Sequence, residues 1–135
     1  MRLLDTNILL YSISTDRRER AKRDIAIGLL ERHDNALSVQ VLQEFYVQAT
    51  RPTRADALAH DIAVSLMRTW LRFPVQEVTL AVMGAALDIK AASGLSYWDA
   101  AIVAAAAALG CRELSSEDLS HGSTIAGVVI NNPFR

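Results

Sequence analysis

Met1-Arg2-Leu3-Leu4-Asp5-Thr6-Asn7-Ile8-Leu9-Leu10-Tyr11 opens the chain with an apolar run that a carboxylate interrupts. Leu3 and Leu4 read as the start of a buried strand, and Ile8 to Leu10 resume the apolar pattern. Asp5-Thr6-Asn7 is the polar joint between strand and helix. A buried strand that passes directly into a helix is the opening of an α/β unit. Ligands of open α/β sheets gather outside the carboxyl ends of the strands, where Asp5 stands. Asp and Thr also suit a helix N-cap, and a cap alone would account for them. Asp5 therefore needs partners before it signifies a site.

The rest of the chain repeats the unit. Ala21, Ile25, Ala26, Leu29 and Leu30 recur at helical spacing up to about His33; Asp34-Asn35 reads as a turn and Ala36-Leu37-Ser38 as a very short strand. Val39, Leu42, Phe45, Tyr46 and Ala49 form the buried stripe of a helix that stops near Arg51-Pro52, because proline disfavours helix in the residue before it. Leu58, Ile62, Leu66 and Trp70 predict a helix over Asp56 to Arg72. Phe73 to Val78 fits a third strand, and Thr79 caps a helix from Leu80 to about Ala92. Ser96 caps another from Tyr97 to Leu109, which Gly110 ends. Cys111 to Leu114 and Ile125 to Ile130 are the last strands, on either side of a polar loop from Ser115 to Gly122. Short strands alternating with helices predict a parallel sheet covered by helices.

At 135 residues and 51% hydrophobic content, the expectation is a single domain over residues 1–135 that folds around its own core. The lone Cys111 excludes an intramolecular disulfide, and the first residues lack a signal-peptide pattern, so a cytoplasmic protein is expected. The apolar stretch Ala100 to Gly110 falls far short of the ~20 residues a membrane span requires. With a net charge of −1, any attraction for nucleic acid must rest on a local patch. The densest such patch is Arg17, Arg18, Arg20, Lys22 and Arg23, which Asp16, Glu19 and Asp24 partly neutralise.

Four acids fall at related places on this scaffold: Asp5 after the first strand, Glu44 on the helix after the second, Asp99 at a helix start and Asp118 after the fourth strand. Each has an ordinary explanation when taken alone. Glu44 could be a solvent-facing flank of its stripe, Asp99 completes a capping box with Ser96, and Asp118 lies in a loop. Yet Asp99 enters an almost wholly apolar helix, at a desolvation cost unless something positive faces it. Carboxylates brought together raise one another's pKa values unless a cation neutralises them, so a cluster implies a metal or a shared proton. Hard oxygen ligands favour Mg²⁺ or Mn²⁺, and Thr6, Asn7 and Ser116 are placed to orient the acids or bound waters.

Leu4-Asp5-Thr6-Asn7, Glu44 after a short Leu-Ser strand, Ser96-Tyr97-Trp98-Asp99-Ala100, and Leu114-Ser115-Ser116-Glu117-Asp118-Leu119-Ser120-His121-Gly122 followed by Asn132-Pro133-Phe134 resemble the PIN domain, and within it the VapC-type toxins of bacterial toxin–antitoxin pairs. The resemblance spans nearly the whole chain. It implies a three-layer α/β/α domain with a central parallel sheet of four to five short strands. It also implies a Mg²⁺- or Mn²⁺-dependent endoribonuclease, usually a homodimer, inhibited by a small VapB-like antitoxin. Asp5, Glu44, Asp99 and Asp118 match the family's acidic site, and Ser116 stands where the family often has Thr. Asp5, Asp99 and Asp118 are then expected to hold the metal, with Glu44 coordinating or positioning the attacking water; of the adjacent Glu117 and Asp118, Asp118 is favoured. Arg17, Arg18, Arg20, Lys22, Arg23, Arg51 and Arg54 are candidates for holding RNA phosphates beside the acids.

Other readings remain open on the residues. A phosphatase with a strand-terminal Asp nucleophile would want Asp where Asn7 stands. A receiver-like domain would want a Lys near the sheet's end, and Lys22 and Lys90 are the only lysines. A non-catalytic protein-interaction domain would use the same acids only as structural caps. His33, His60 and His121 read as surface residues, and no step needs them.

Overall fold

β1 (Arg2–Leu4) lies inside a six-stranded sheet of order β3-β2-β1-β4-β6-β5 in the computed structural model, which describes all 135 residues. In chain order, β1 leads into α1 (Thr6–Ser12), a 3₁₀ turn (Arg17–Glu19), α2 (Arg20–Leu30), β2 (Asn35–Ser38) and α3 (Val39–Ala49). There follow α4 (His60–Trp70), β3 (Val75–Gln76), α5 (Leu80–Ser93), α6 (Tyr97–Ala108), β4 (Glu113–Ser115), β5 (Thr124–Ile125) and β6 (Val128–Asn131). β1 pairs in parallel with β2 on one side, Leu3 opposite Ala36, and with β4 on the other, Leu3 opposite Leu114 and Leu4 opposite Ser115. The strand order reverses beside β1, so a crevice opens at its carboxyl end between the connections that leave in opposite directions.

The fold is the mixed α/β one that the strand–helix alternation predicts, a mostly parallel sheet flanked by six helices, with differences in detail. The last strand is split. Ala126 (φ 51°) and Gly127 (φ 79°) both take left-handed backbone and turn the chain into a hairpin, so β5 pairs antiparallel with β6 and the sheet has six strands. The helix read from Asp56 starts only at His60, because Asp56 is engaged elsewhere: its Oδ2 accepts from the Thr15 amide at 3.1 Å and the Thr15 hydroxyl at 3.0 Å. Asn35 belongs to β2 rather than to a turn. It is fully buried, and its Nδ2 donates to the carbonyls of Leu29 (2.7 Å) and Arg32 (3.2 Å), closing the end of α2.

The main core gathers Leu3, Leu4, Ile8, Leu37, Phe45, Val103, Leu114 and Ile130, with the Phe45 and Trp70 rings edge to face at 4.7 Å. Each such large side chain contributes roughly 1.5–3 kcal/mol by leaving water. Ala100 to Ala106 are all buried, and Ala101 and Ala104 pack with Val82 and Ala86 of α5. This tight packing fixes the start of α6, and with it Asp99, against the sheet's carboxyl edge. No helix is long and apolar enough to cross a membrane.

Candidate active site

Asp5 is the residue at which β1 becomes α1. Its backbone N–H donates to the Ser115 carbonyl at 3.0 Å, which keeps it in line with β4, while its Oδ1 accepts from the Thr6 amide at 2.7 Å. The other oxygen, Oδ2, accepts from the Ser116 hydroxyl, also at 2.7 Å. The side chain is almost wholly buried. Burial pushes its pKa from 3.8 up to about 6 against the lowering effect of the Ser116 and Thr6 bonds, and the nearby charges of Asp118 and Glu44 push it further the same way.

Asp5 shares a cavity of about 120 Å³ with Glu44, Asp99 and Asp118, whose walls also include Thr6, Asn7 and Gln48. Four acidic residues from four separate places in the chain thus line one small space, and no Lys or Arg lines it. Each neighbour that the sequence reading placed beside the acids holds one of them through a neutral group. Thr6 Oγ1 donates to Glu44 Oε2 at 2.7 Å, Asn7 Nδ2 to Asp118 Oδ2 at 3.2 Å, and Ser116 Oγ to Asp5. Ser116 Oγ also accepts from the Asp118 amide at 3.2 Å, tying the loop to the acid beside it. Asp99 is held by its backbone, its N–H donating to the Ser96 hydroxyl at 3.2 Å, and its carboxylate forms no hydrogen bond with the protein.

Glu117, adjacent to Asp118, is turned away to α2, where it accepts from Lys22 Nζ. Burial pulls its carboxyl upward, but the bonds from Lys22 and Tyr11 prevail and hold it below the usual range. Two further residues belong to the site. Gln40 Nε2 donates to Glu44 Oε1 at 3.0 Å and to the Trp98 carbonyl at 3.1 Å, bridging α3 to the start of α6, and Gln48 lines the cavity. Both lie four residues from Glu44 on α3, a helical spacing that could have singled them out.

The donor set suits a hard divalent cation. It is all oxygen, its most buried member is a carboxylate without a neutralising partner, and the buried Oδ1 of the wall residue Asn7 has no hydrogen-bond partner. No three His, Cys, Asp or Glu side chains already stand close enough to make a preassembled metal cluster.

Two clefts share walls with the cavity. Asn7 and Leu10 also line one that contains Arg54; Glu44 and Gln48 also line the other, which contains Arg51 and Trp98. Arg54 is half-buried, its Nε 2.8 Å from Asp56 Oδ1 but not aligned for a hydrogen bond. Arg17, Arg20 and Arg23 are exposed and line neither cleft, Arg18 pairs with Asp16, and Lys22 is taken up by Glu117.

A family model described as PIN domain matches residues 2–122. No curated protein matches the sequence significantly. Among solved structures, a toxin–antitoxin complex from Klebsiella pneumoniae is similar at 21% identity and TM-score 0.71, with 98% of each chain covered. The structure of FitAB bound to an IR36 DNA fragment is similar at 17% identity and TM-score 0.76, over 100% of this chain and 96% of that one. VapC20 of Mycobacterium tuberculosis, a sarcin–ricin loop cleaving toxin, is similar at 18% identity and TM-score 0.67, over 87% and 92%. At these identities the likeness is one of fold.

Proposed function

This chain belongs to the PIN domain family, and from that premise we propose that it is a Mg²⁺- or Mn²⁺-dependent endoribonuclease, the toxin of a toxin–antitoxin pair acting in the cytoplasm. The observation that carries the reading is the single cavity into which Asp5, Glu44, Asp99 and Asp118 converge without a cationic side chain. One of the similar solved structures is a toxin–antitoxin complex and another is a toxin that cleaves the sarcin–ricin loop, which supports the choice of RNA and of an antitoxin partner.

In this reading Asp5, Asp99 and Asp118 hold the metal. When bound, the ion supplies Lewis-acid stabilisation of a phosphodiester and makes a water a stronger nucleophile. The chain's own residues do the rest. Ser116 and the Thr6 amide keep both Asp5 oxygens in a fixed plane, and Asn7 holds Asp118 toward the cavity. Glu44, steadied on one oxygen by Thr6 and on the other by Gln40, is the carboxylate placed to orient a water and take its proton. Arg54 and Arg51, one in each adjoining cleft, are the cations placed to receive RNA phosphates on either flank of an otherwise repulsive pocket.

We assign the homodimer contact to the apolar surface of Val78, Leu80, Met83, Leu87 and Trp98. These side chains are 66%, 82%, 41%, 52% and 64% exposed, and Leu80, Met83 and Leu87 recur along one face of α5. A stripe that serves neither the core nor the cavity has a use if a second copy covers it.

A second reading, a non-catalytic protein-interaction domain, draws on the bond from the Thr6 amide to Asp5, which is a helix cap in its own right. One experiment separates the two. Purified protein is incubated with total RNA in Mn²⁺ or Mg²⁺, beside an EDTA control and the Asp99→Asn variant. Discrete fragments that need both the metal and Asp99 establish the nuclease; no fragments, with no metal-induced rise in melting temperature, establish the interaction domain.

A further inference from the structure

Lys22 stands outside the cavity, yet it is the meeting point of four segments. From α2 its Nζ donates to Glu117 in the loop after β4 and to the Tyr11 hydroxyl of α1 at 3.3 Å. It lies 5.0 Å from the centre of the Tyr11 ring and 5.8 Å from that of Phe134 near the carboxyl end, and these two rings pack edge to face at 4.9 Å. A cation held against two aromatic faces and a carboxylate keeps its place better than a solvated surface pair.

The location of this cage gives it a consequence. Ser116, Glu117 and Asp118 are consecutive, and each is fixed to a different element: Ser116 to Asp5, Glu117 to Lys22 and Asp118 to Asn7. Asp118 is exposed, and its carboxylate is joined to the protein by a single bond of 3.2 Å, from Asn7. Glu117 and Asp118 are consecutive residues of the bend that follows β4, so the bond from Lys22 to Glu117 limits how far the backbone that carries Asp118 can move.

We propose that Lys22, through its cage with Glu117, Tyr11 and Phe134, is a positioning residue for Asp118 and thereby sets the affinity of the acid cavity for a divalent cation. The proposal rests on the metal-site reading above. Its sign is opposite to the direct electrostatic effect. Removing a positive charge near a cation site tightens binding through Coulomb's law alone, whereas releasing the Asp118 loop weakens it.

The test is Mn²⁺ binding by the whole chain, followed by the EPR signal of free Mn²⁺. It compares wild type, Asp5→Asn, Lys22→Met, which keeps an apolar stem against the rings, Lys22→Arg and Glu117→Gln, each verified as folded by circular dichroism. We expect Lys22→Met and Glu117→Gln to bind about tenfold more weakly than wild type and Lys22→Arg to recover most of the loss. Should Lys22→Met fail to fold, Lys22→Gln takes its place, because Glu117→Gln removes a negative charge and weakens cation binding through Coulomb's law as well. Unchanged or tighter binding in Lys22→Met, with wild type binding and Asp5→Asn not, overturns the positioning role and leaves the metal site standing. Absence of binding in wild type overturns both.

Discussion

The Ser116 hydroxyl donates to Asp5 Oδ2 at 2.7 Å across 111 residues of sequence, joining the loop after β4 to the end of β1 at the most buried carboxylate of the cavity. Such a bond fixes the orientation of the carboxylate and lowers its proton affinity, opposing the effect of burial. Ser116→Ala should reduce Mn²⁺-dependent RNA cleavage roughly 10- to 100-fold. Ser116→Thr, which keeps the hydroxyl, should retain most of it. Steady-state cleavage of one defined RNA by both variants checks this; equal losses would mean that the side chain's size matters rather than its hydroxyl.

The buried Asp5 carboxyl predicts an unusual pH dependence in the metal-free protein. Its pKa in the folded chain, about 6, lies above the 3.8 of the exposed group, so the folded state binds this proton more tightly than the unfolded one. The stability it contributes is fully present below the unfolded value and is lost as pH rises through the folded one. Relative to Asp5→Asn, which cannot ionise there, wild type in EDTA should lose about 3 kcal/mol between roughly pH 4 and pH 7. Urea unfolding of both proteins across that range measures it, and a difference independent of pH would contradict the burial argument.

Asp99→Asn should separate chemistry from folding. The carboxylate makes no hydrogen bond with the protein, and the cap contact of residue 99 uses its backbone N–H. Metal-free stability should therefore stay within about 0.5 kcal/mol of wild type, while cleavage falls to background. Denaturant melts and the cleavage assay, run on the same preparation, report the two quantities.

Arg54 should be an RNA contact in a way that Arg20 and Arg23 are not, because it shares a cleft with Asn7 at the edge of the acids. Arg54→Gln should weaken RNA binding and reduce the slope of log affinity against log salt by roughly 0.7–1. The paired substitution Arg20→Gln and Arg23→Gln should leave the slope within error. Filter binding over a salt series decides between a backbone track through the clefts and one along α2.

Leu80→Asp, at an 82% exposed position on α5, should leave the fold intact and convert a dimer to a monomer. Sedimentation velocity of wild type and variant at matched concentration reads this out. A monomeric wild type would leave the α5 stripe to another partner.

Much of this molecule is visible in its sequence, for reasons that differ from residue to residue. Asp5 stands out because a charge breaks an apolar strand–helix joint, and the caps at Thr79 and Ser96 mark helix starts through local bonds that depend only on near neighbours. The start of α4 at His60 is hidden, since the bonds that hold Asp56 out of the helix come from Thr15, a tertiary contact. The β5–β6 hairpin is hidden for another reason: Ala126 adopts a backbone conformation that alanine seldom takes. Within the site, the turning of Glu117 toward Lys22 depends on how α2 packs 95 residues away in sequence, and neither residue announces it. Gln40 and Gln48 are hidden although their spacing from Glu44 is helical, because neutral amides beside a stripe look like solvated surface.

The placement of β4 beside β1 has a consequence for when the cavity can form. Leu4 finds its partner Ser115, and Asp5 its companion Asp118, only after more than a hundred intervening residues have been made. Local contacts can form α2 and α3 early, but the cavity lacks a wall until the loop at 116–118 reaches the end of β1. If the chain is the nuclease proposed above, it cannot cut before that loop is in place, and an antitoxin has nothing to restrain until then.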